Sequence, residues 1–90
     1  MLIFEKKLQV NHAAKLRFSY NGNTLQSCPM VLEVKDESGG SFTVECRNEG
    51  GNDFYIRGSD WAGFVKKNIH AIVTLSKEDD EEFFRITVRL

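Results

Sequence analysis

SDWAGFVKKN, residues 59–68, carries the one clear helix pattern in a chain of 90 residues, and it holds the chain's single tryptophan. Ser59 suits an N-cap, and Asp60 puts negative charge in the first turn, where the helix dipole favours it. Trp61, Phe64 and Val65 follow at spacings i, i+3 and i+4 and so share one face, while Lys66 and Lys67 fall at the C-terminal end, where cations are favoured. A helix of about ten residues is marginal in isolation. Its aromatic face must therefore be packed against something, most simply as a plug over the open end of a barrel. Trp61 is read as core, with a platform for a ligand or base as the alternative.

What surrounds the helix reads as strands. MLIFEKKLQV (1–10) is a first strand, broken by NHAA, and KLRFSY (15–20) a second. Asn21-Gly22 opens a loop, since both residues take positive φ at low cost. Ser27-Cys28-Pro29 ends that loop, because a proline biases the residue before it to extended backbone. MVLEVKD (30–36) and SFTVECR (41–47) are the third and fourth strands, and Phe42, Val44 and Cys46 share one face of the fourth. The glycine-rich NEGGN leads into DFYIR (53–57), and IHAIVTLS (69–76) and FFRITVRL (83–90) close the chain as a hairpin. Phe84, Ile86, Val88 and Leu90 give the last strand one apolar face. Seven short strands without a repeat or linker predict one domain over residues 1–90, a small barrel or closed sheet.

Composition narrows the function classes. A chain that is 41% hydrophobic with seven Phe has the apolar surface to offset the entropy of ordering. The start lacks the charged and apolar pattern of a signal peptide, and no apolar run nears the roughly 20 residues that cross a bilayer. A chain without a membrane segment, in a reducing compartment, is the expectation for its two cysteines, Cys28 and Cys46. Those cysteines, with His12 and His70, lack the close pairs of a zinc site, so no metal is expected. Neither a nucleophile elbow nor a phosphate loop is present, and an enzyme, a cofactor and a small-molecule substrate are not expected. Net charge is −1, but Glu78, Asp79, Asp80, Glu81 and Glu82 hold five of the thirteen acids. Outside that run 12 basic residues face 8 acidic ones, so the body is mildly basic. The run itself reads as the solvated tip of a loop.

Trp61, Phe64, Val65, Lys66 and Asn68 resemble the pattern W..FVK.N found before the last strands of plant B3 DNA-binding domains. LEVKDESGGSFTVE (32–45) resembles the family's strand, D..G, strand unit, and Phe4, Lys6 or Lys7, and Leu8 its F.K.L opening. The order of elements agrees over nearly the whole chain. The resemblance implies a mainly β fold, a seven-stranded open pseudobarrel with one or two short helices closing its ends, that grips the major groove of double-stranded DNA with two arms.

In the family the first arm lies between strands one and two and carries K..RL. Here the corresponding stretch is HAAKLRF, which implies Lys15 and Arg17 as contacts with Asn11 and His12 at the tip. The second arm is the turn RNEGGND, implying Arg47, Asn48 and Asn52, and the resemblance sets the two turns side by side. Arg and Lys suit guanine edges or phosphate, and Asn suits adenine. Departures fall on these segments: Phe18, Ser19 and Tyr20 replace the usual IPK, the first arm is two residues short, and the second lacks a tryptophan and holds Glu49 and Asp53. After the helix the usual L..GD turn is missing. The implied function is a DNA-binding domain of a plant transcriptional regulator in the nucleus. The alternative is a B3-like fold that has lost DNA binding and meets a protein partner, and acids beside the arms would favour it.

Overall fold

The computed structural model describes residues 1–25 and 28–90. Among these, seven strands form one sheet: β1 (Leu2–Lys7), β2 (Leu16–Ser19), β3 (Met30–Asp36), β4 (Ser41–Gly50), β5 (Asp53–Arg57), β6 (Ile72–Lys77) and β7 (Phe84–Arg89). The spatial order is β1-β6-β7-β3-β4-β5-β2. Neighbours are antiparallel apart from β3 and β7, which run parallel from Val34↔Phe84 to Asp36↔Ile86. A 3-10 turn (Val10–Ala13) joins β1 to β2, and one helix, α1 (Ser59–Lys67), follows β5. Gln26 and Ser27, part of the loop expected to end at Ser27-Cys28-Pro29, lie outside the described residues.

The sheet curls until its two edges meet. Phe4 of β1 and Phe18 of β2 approach with ring centroids 4.9 Å apart, and Phe18 stacks on Phe54 of β5 at 5.9 Å. The Tyr20 hydroxyl, just past β2, donates to Met1 Sδ at 2.7 Å and closes the seam further along. Inside lies one apolar core that includes Leu16, Leu32, Val44, Ile56, Val73 and Ile86. The alternation expected for the fourth and last strands holds at Val44, Cys46, Phe84 and Ile86, all buried, but Leu90 lies past β7 and is exposed. Strand β1 breaks the alternation. Leu2 pairs with Ser76 and Phe4 with Leu75, so Ile3 is an inserted residue, and this bulge lets Ile3 and Phe4 both face inward.

The helix plugs the barrel end beside the 3-10 turn, packing on that turn, β4 and β5. Trp61 and Val65 are fully buried; Phe64 is half-buried and bridges the Trp61 and Phe42 rings at 5.6 and 5.3 Å. The indole N–H donates to His12 O at 2.9 Å, which satisfies the one polar group that burying the ring would strand. Trp61 is therefore core and has no face left for a ligand.

The cap differs from the expectation. Gly58, not Ser59, is the N-cap, and its carbonyl accepts the first helical bond from Ala62 N at 2.9 Å. The chain turns from β5 into the helix with φ at 140° on Gly58, a conformation that a residue with a Cβ resists, so the corner had to fall on the glycine. Ser59 becomes the first helical residue instead.

Candidate nucleic-acid interface

Strands β2, β5 and β4 lie side by side, and period-two alternation puts Leu16, Phe18, Phe54, Ile56, Val44 and Cys46 inward. The residues between them face out. Register then makes a row across three strands, since Tyr55 of β5 is opposite both Arg17 of β2 and Arg47 of β4. The next row holds Arg57 opposite Glu45. Lys15 lays its ammonium over the Tyr55 ring, 4.6 Å from the centroid, so the aromatic gathers a third cation.

The two expected arms frame this face but are not side by side. The β2–β5 ladder runs from Leu16↔Ile56 to Ser19↔Asp53. The 3-10 turn with Asn11 and His12 precedes its first pair, and the Gly51-Asn52 turn adjoins its last. About three strand steps, roughly 10 Å, separate the ends. The reason is topological: β2 and β5 are antiparallel, so a turn entering β2 and a turn entering β5 must lie at opposite ends.

Carboxylates engage most of the cations. Arg17 Nε donates to Glu49 Oε1 at 3.1 Å, with 64% of the arginine side chain still exposed. Glu45 takes two arginines: Arg47 Nε at 2.6 Å, with a second contact from Arg47 Nη2, and Arg57 Nε at 3.3 Å. The hydrogen bond from Arg47, and then the charges of Arg47 and Arg57, hold the Glu45 carboxyl below its ordinary range, and Glu45 in return holds Arg47 above its own. Ser19 Oγ donates to Asp53 Oδ1 at 3.3 Å. Lys6 of β1 lines a cleft of about 530 Å³ together with Arg17, Ser19, Glu49 and Asp53. On this face and its rim five cations, Lys6, Lys15, Arg17, Arg47 and Arg57, thus meet three carboxylates, Glu45, Glu49 and Asp53.

The nominated residues divide by what they already do. Lys15, Arg17 and Arg47 stand on the face; Asn11 and Asn52 are exposed at the two turns. Asn48 is committed to the turn itself, donating to the carbonyls of Gly51 and Asp53 at 3.1 Å each and accepting from Gly50 N at 3.1 Å. His12 likewise holds its turn: Nδ1 accepts from Gln9 N at 3.0 Å while its carbonyl anchors Trp61. Burial, then Lys6, lowers the His12 pKa, which keeps the ring neutral near pH 7. Tyr55, Arg57 and Lys6 were missed as site residues. The alternation of DFYIR, with Phe54 and Ile56 inward, was the signal that could have found Tyr55 and Arg57.

The acidic run closes the β6–β7 hairpin and connects to the second turn. Lys77 N donates to Met1 O at 2.8 Å, Met1 Sδ accepts from Tyr20, and Tyr20 N donates to Asn52 O at 2.9 Å. The run is less free than a solvated tip. Glu81 is half-buried and receives Arg85 Nε at 2.8 Å, which together with nearby charge lowers its pKa. Glu78, Asp79, Asp80 and Glu82 are exposed.

No family model and no curated protein matches the chain. Solved structures do. The protein of an Arabidopsis FUS3–DNA complex, a B3 domain, superimposes with a TM-score of 0.68 at 10% identity, covering 100% of this chain and 98% of that one. The hypothetical Arabidopsis thaliana protein At1g16640.1, a B3-like protein, does so with a TM-score of 0.65 at 20% identity, covering 94% and 86%. The resemblance first carried by Trp61 to Asn68 holds at the level of architecture: this chain has the fold of a plant B3 domain, a seven-stranded pseudobarrel closed at one end by a helix.

Proposed function

We propose that the chain is a DNA-binding domain of a plant transcriptional regulator, without enzymatic activity, that acts in the nucleus and meets the major groove of double-stranded DNA. The observation that carries the reading is the Arg17–Tyr55–Arg47 row, flanked at either end by a turn bearing exposed asparagines. The DNA complex of the FUS3 neighbour supports it. Arg17, Arg47 and Lys15 take phosphates or guanine edges, Arg57 and Lys6 add charge, and Asn11 and Asn52 meet base edges at the two ends. Asn48 and His12 keep the turns in shape.

The carboxylates favour a second reading. Glu49 and Glu45 neutralise Arg17 and Arg47, and such a face also suits a protein partner of mixed charge. Anisotropy titrations with a random-sequence duplex at several salt concentrations separate the two. Each phosphate neutralised contributes about 0.9 to the slope of log affinity against log salt. Changing both Lys15 and Arg17 to Ala should reduce the slope by up to about 2. An unchanged affinity and slope would remove these residues from DNA binding, and an absence of binding by the parent at low salt would leave the protein-interaction module.

A further inference from the structure

The two cysteines, free thiols among the described residues, are 18 positions apart in sequence, yet their sulfurs lie 3.3 Å from each other. Cys46 projects inward from β4 and is fully buried, whereas Cys28, just before β3, is half-buried. Cys28 also lines an open cavity of about 330 Å³ between the β2–β3 connection and the second turn, so a small oxidant can reach one sulfur of the pair and not the other. We propose that Cys28 and Cys46 are a site of reversible oxidative modification, in which peroxide converts the thiol pair to an internal disulfide without unfolding the barrel.

The asymmetry sets the order of steps. Burial, and then the neighbouring Cys28 sulfur, push the Cys46 thiol up and keep it protonated, and Cys28 is the sulfur that lines the cavity, so Cys28 attacks first. Its sulfur bonds to one peroxide oxygen, the O–O bond breaks, and the departing hydroxide leaves as water after taking a proton. The product is a sulfenic acid on Cys28. Cys46 sulfur then attacks Cys28 sulfur, the S–O bond breaks, and the hydroxyl departs as a second water with the Cys46 proton. Two thiols lose two hydrogens, and one peroxide becomes two waters. A small dithiol reverses the reaction by exchange. Closing the contact from 3.3 Å to the roughly 2.0 Å of a disulfide moves the sulfurs by a little over 1 Å, within reach of side-chain rotation. The chemistry does not depend on the DNA reading.

The experiment treats the native chain with hydrogen peroxide and follows intact mass, thiol alkylation and far-ultraviolet circular dichroism. Before oxidation, iodoacetamide should label Cys28 alone. Afterwards the monomer should be lighter by two hydrogens, refractory to alkylation and restored by dithiothreitol, with an unchanged spectrum. Its melting temperature should rise by about 15 °C, as expected for closing a loop of this length in a small domain. Cys46→Ser should instead gain oxygen on Cys28 and show no such rise, and Cys28→Ser should stay unmodified. Parent protein that gains oxygen as the Cys46→Ser variant does, or that links into dimers, overturns the proposal. So does a disulfide that appears only as the native spectrum is lost.

Discussion

At the helix end of the barrel Trp61 is 0% exposed and its indole N–H has one fixed acceptor, whereas on the β2–β5–β4 face Arg17 and Arg47 keep 64% and 48% of their side chains in water and lean on Glu49 and Glu45. The first region is held by apolar area and shape, so it has one arrangement. The second is held by exposed, solvent-screened ion pairs that contribute little to stability, so its arginines can exchange a carboxylate for a phosphate at little cost to the fold. Stability and recognition are thus separated in space, and substitutions should separate them too.

The largest expected effect is at the plug. Trp61→Ala should cost about 3 to 5 kcal/mol in urea melts, a large share of the roughly 5 to 10 available to a domain this small. A loss below about 1 kcal/mol would break the contrast, since the helix would then be an accessory. Gly58→Ala comes next. With φ at 140° the added Cβ is strained although its nearest neighbours lie at 3.9 Å, and about 1 to 3 kcal/mol should be lost. No loss would mean that the corner relaxes without its glycine.

On the face the expectation reverses. Arg47→Ala should leave the urea midpoint nearly unchanged while lowering the salt slope of duplex binding by about 0.9. Glu45→Gln should raise duplex affinity, because Arg47 and Arg57 no longer share a carboxylate. Acid should act in the same direction. The folded pKa of Glu45 is lowered, so its contribution to stability is present above the ordinary carboxylate range and is lost as pH falls through the lowered value. Over that window the arginines are released, and binding measured against pH should strengthen until global unfolding begins. The smallest effect belongs to the acidic hairpin: Asp79→Asn with Asp80→Asn should raise affinity slightly at low salt and fade near 0.15 M, where screening acts within about 8 Å.

Much of the fold was legible because its signals are local. The Trp61, Phe64, Val65 spacing, the alternation of residues 41–47 and 84–89 and the glycines of residues 50–51 each report on their own few residues. Boundaries moved where tertiary contacts intervened. Strand β4 runs on to Gly50, because Asn48 and Gly50 still pair with Phe54 and Asp53 across a bulge, and residues 8–10 leave β1 for the 3-10 turn that supports Trp61. Of the candidate site, the sequence pointed to Lys15, Arg17 and Arg47 and showed Glu49 in the second arm, but not that Glu49 pairs with Arg17, 32 positions away.

By itself the sequence determined the inward and outward faces of most strands, the helix and its buried side, and the residue types at each turn, because hydrophobic period and backbone preference act over a turn or a strand. Only the tertiary structure decided the rest. The parallel pairing of β3 with β7 brings together strands that are distant in the chain. The antiparallel β2–β5 ladder sends the two arms to opposite ends of one face. Register aligns Arg17, Tyr55 and Arg47, and the β3–β4 pairing that sets Met30 opposite Cys46 brings Cys28 against Cys46. These depend on which distant strand each edge meets, a choice made by burying the whole core at once, and no short stretch of the chain carries it.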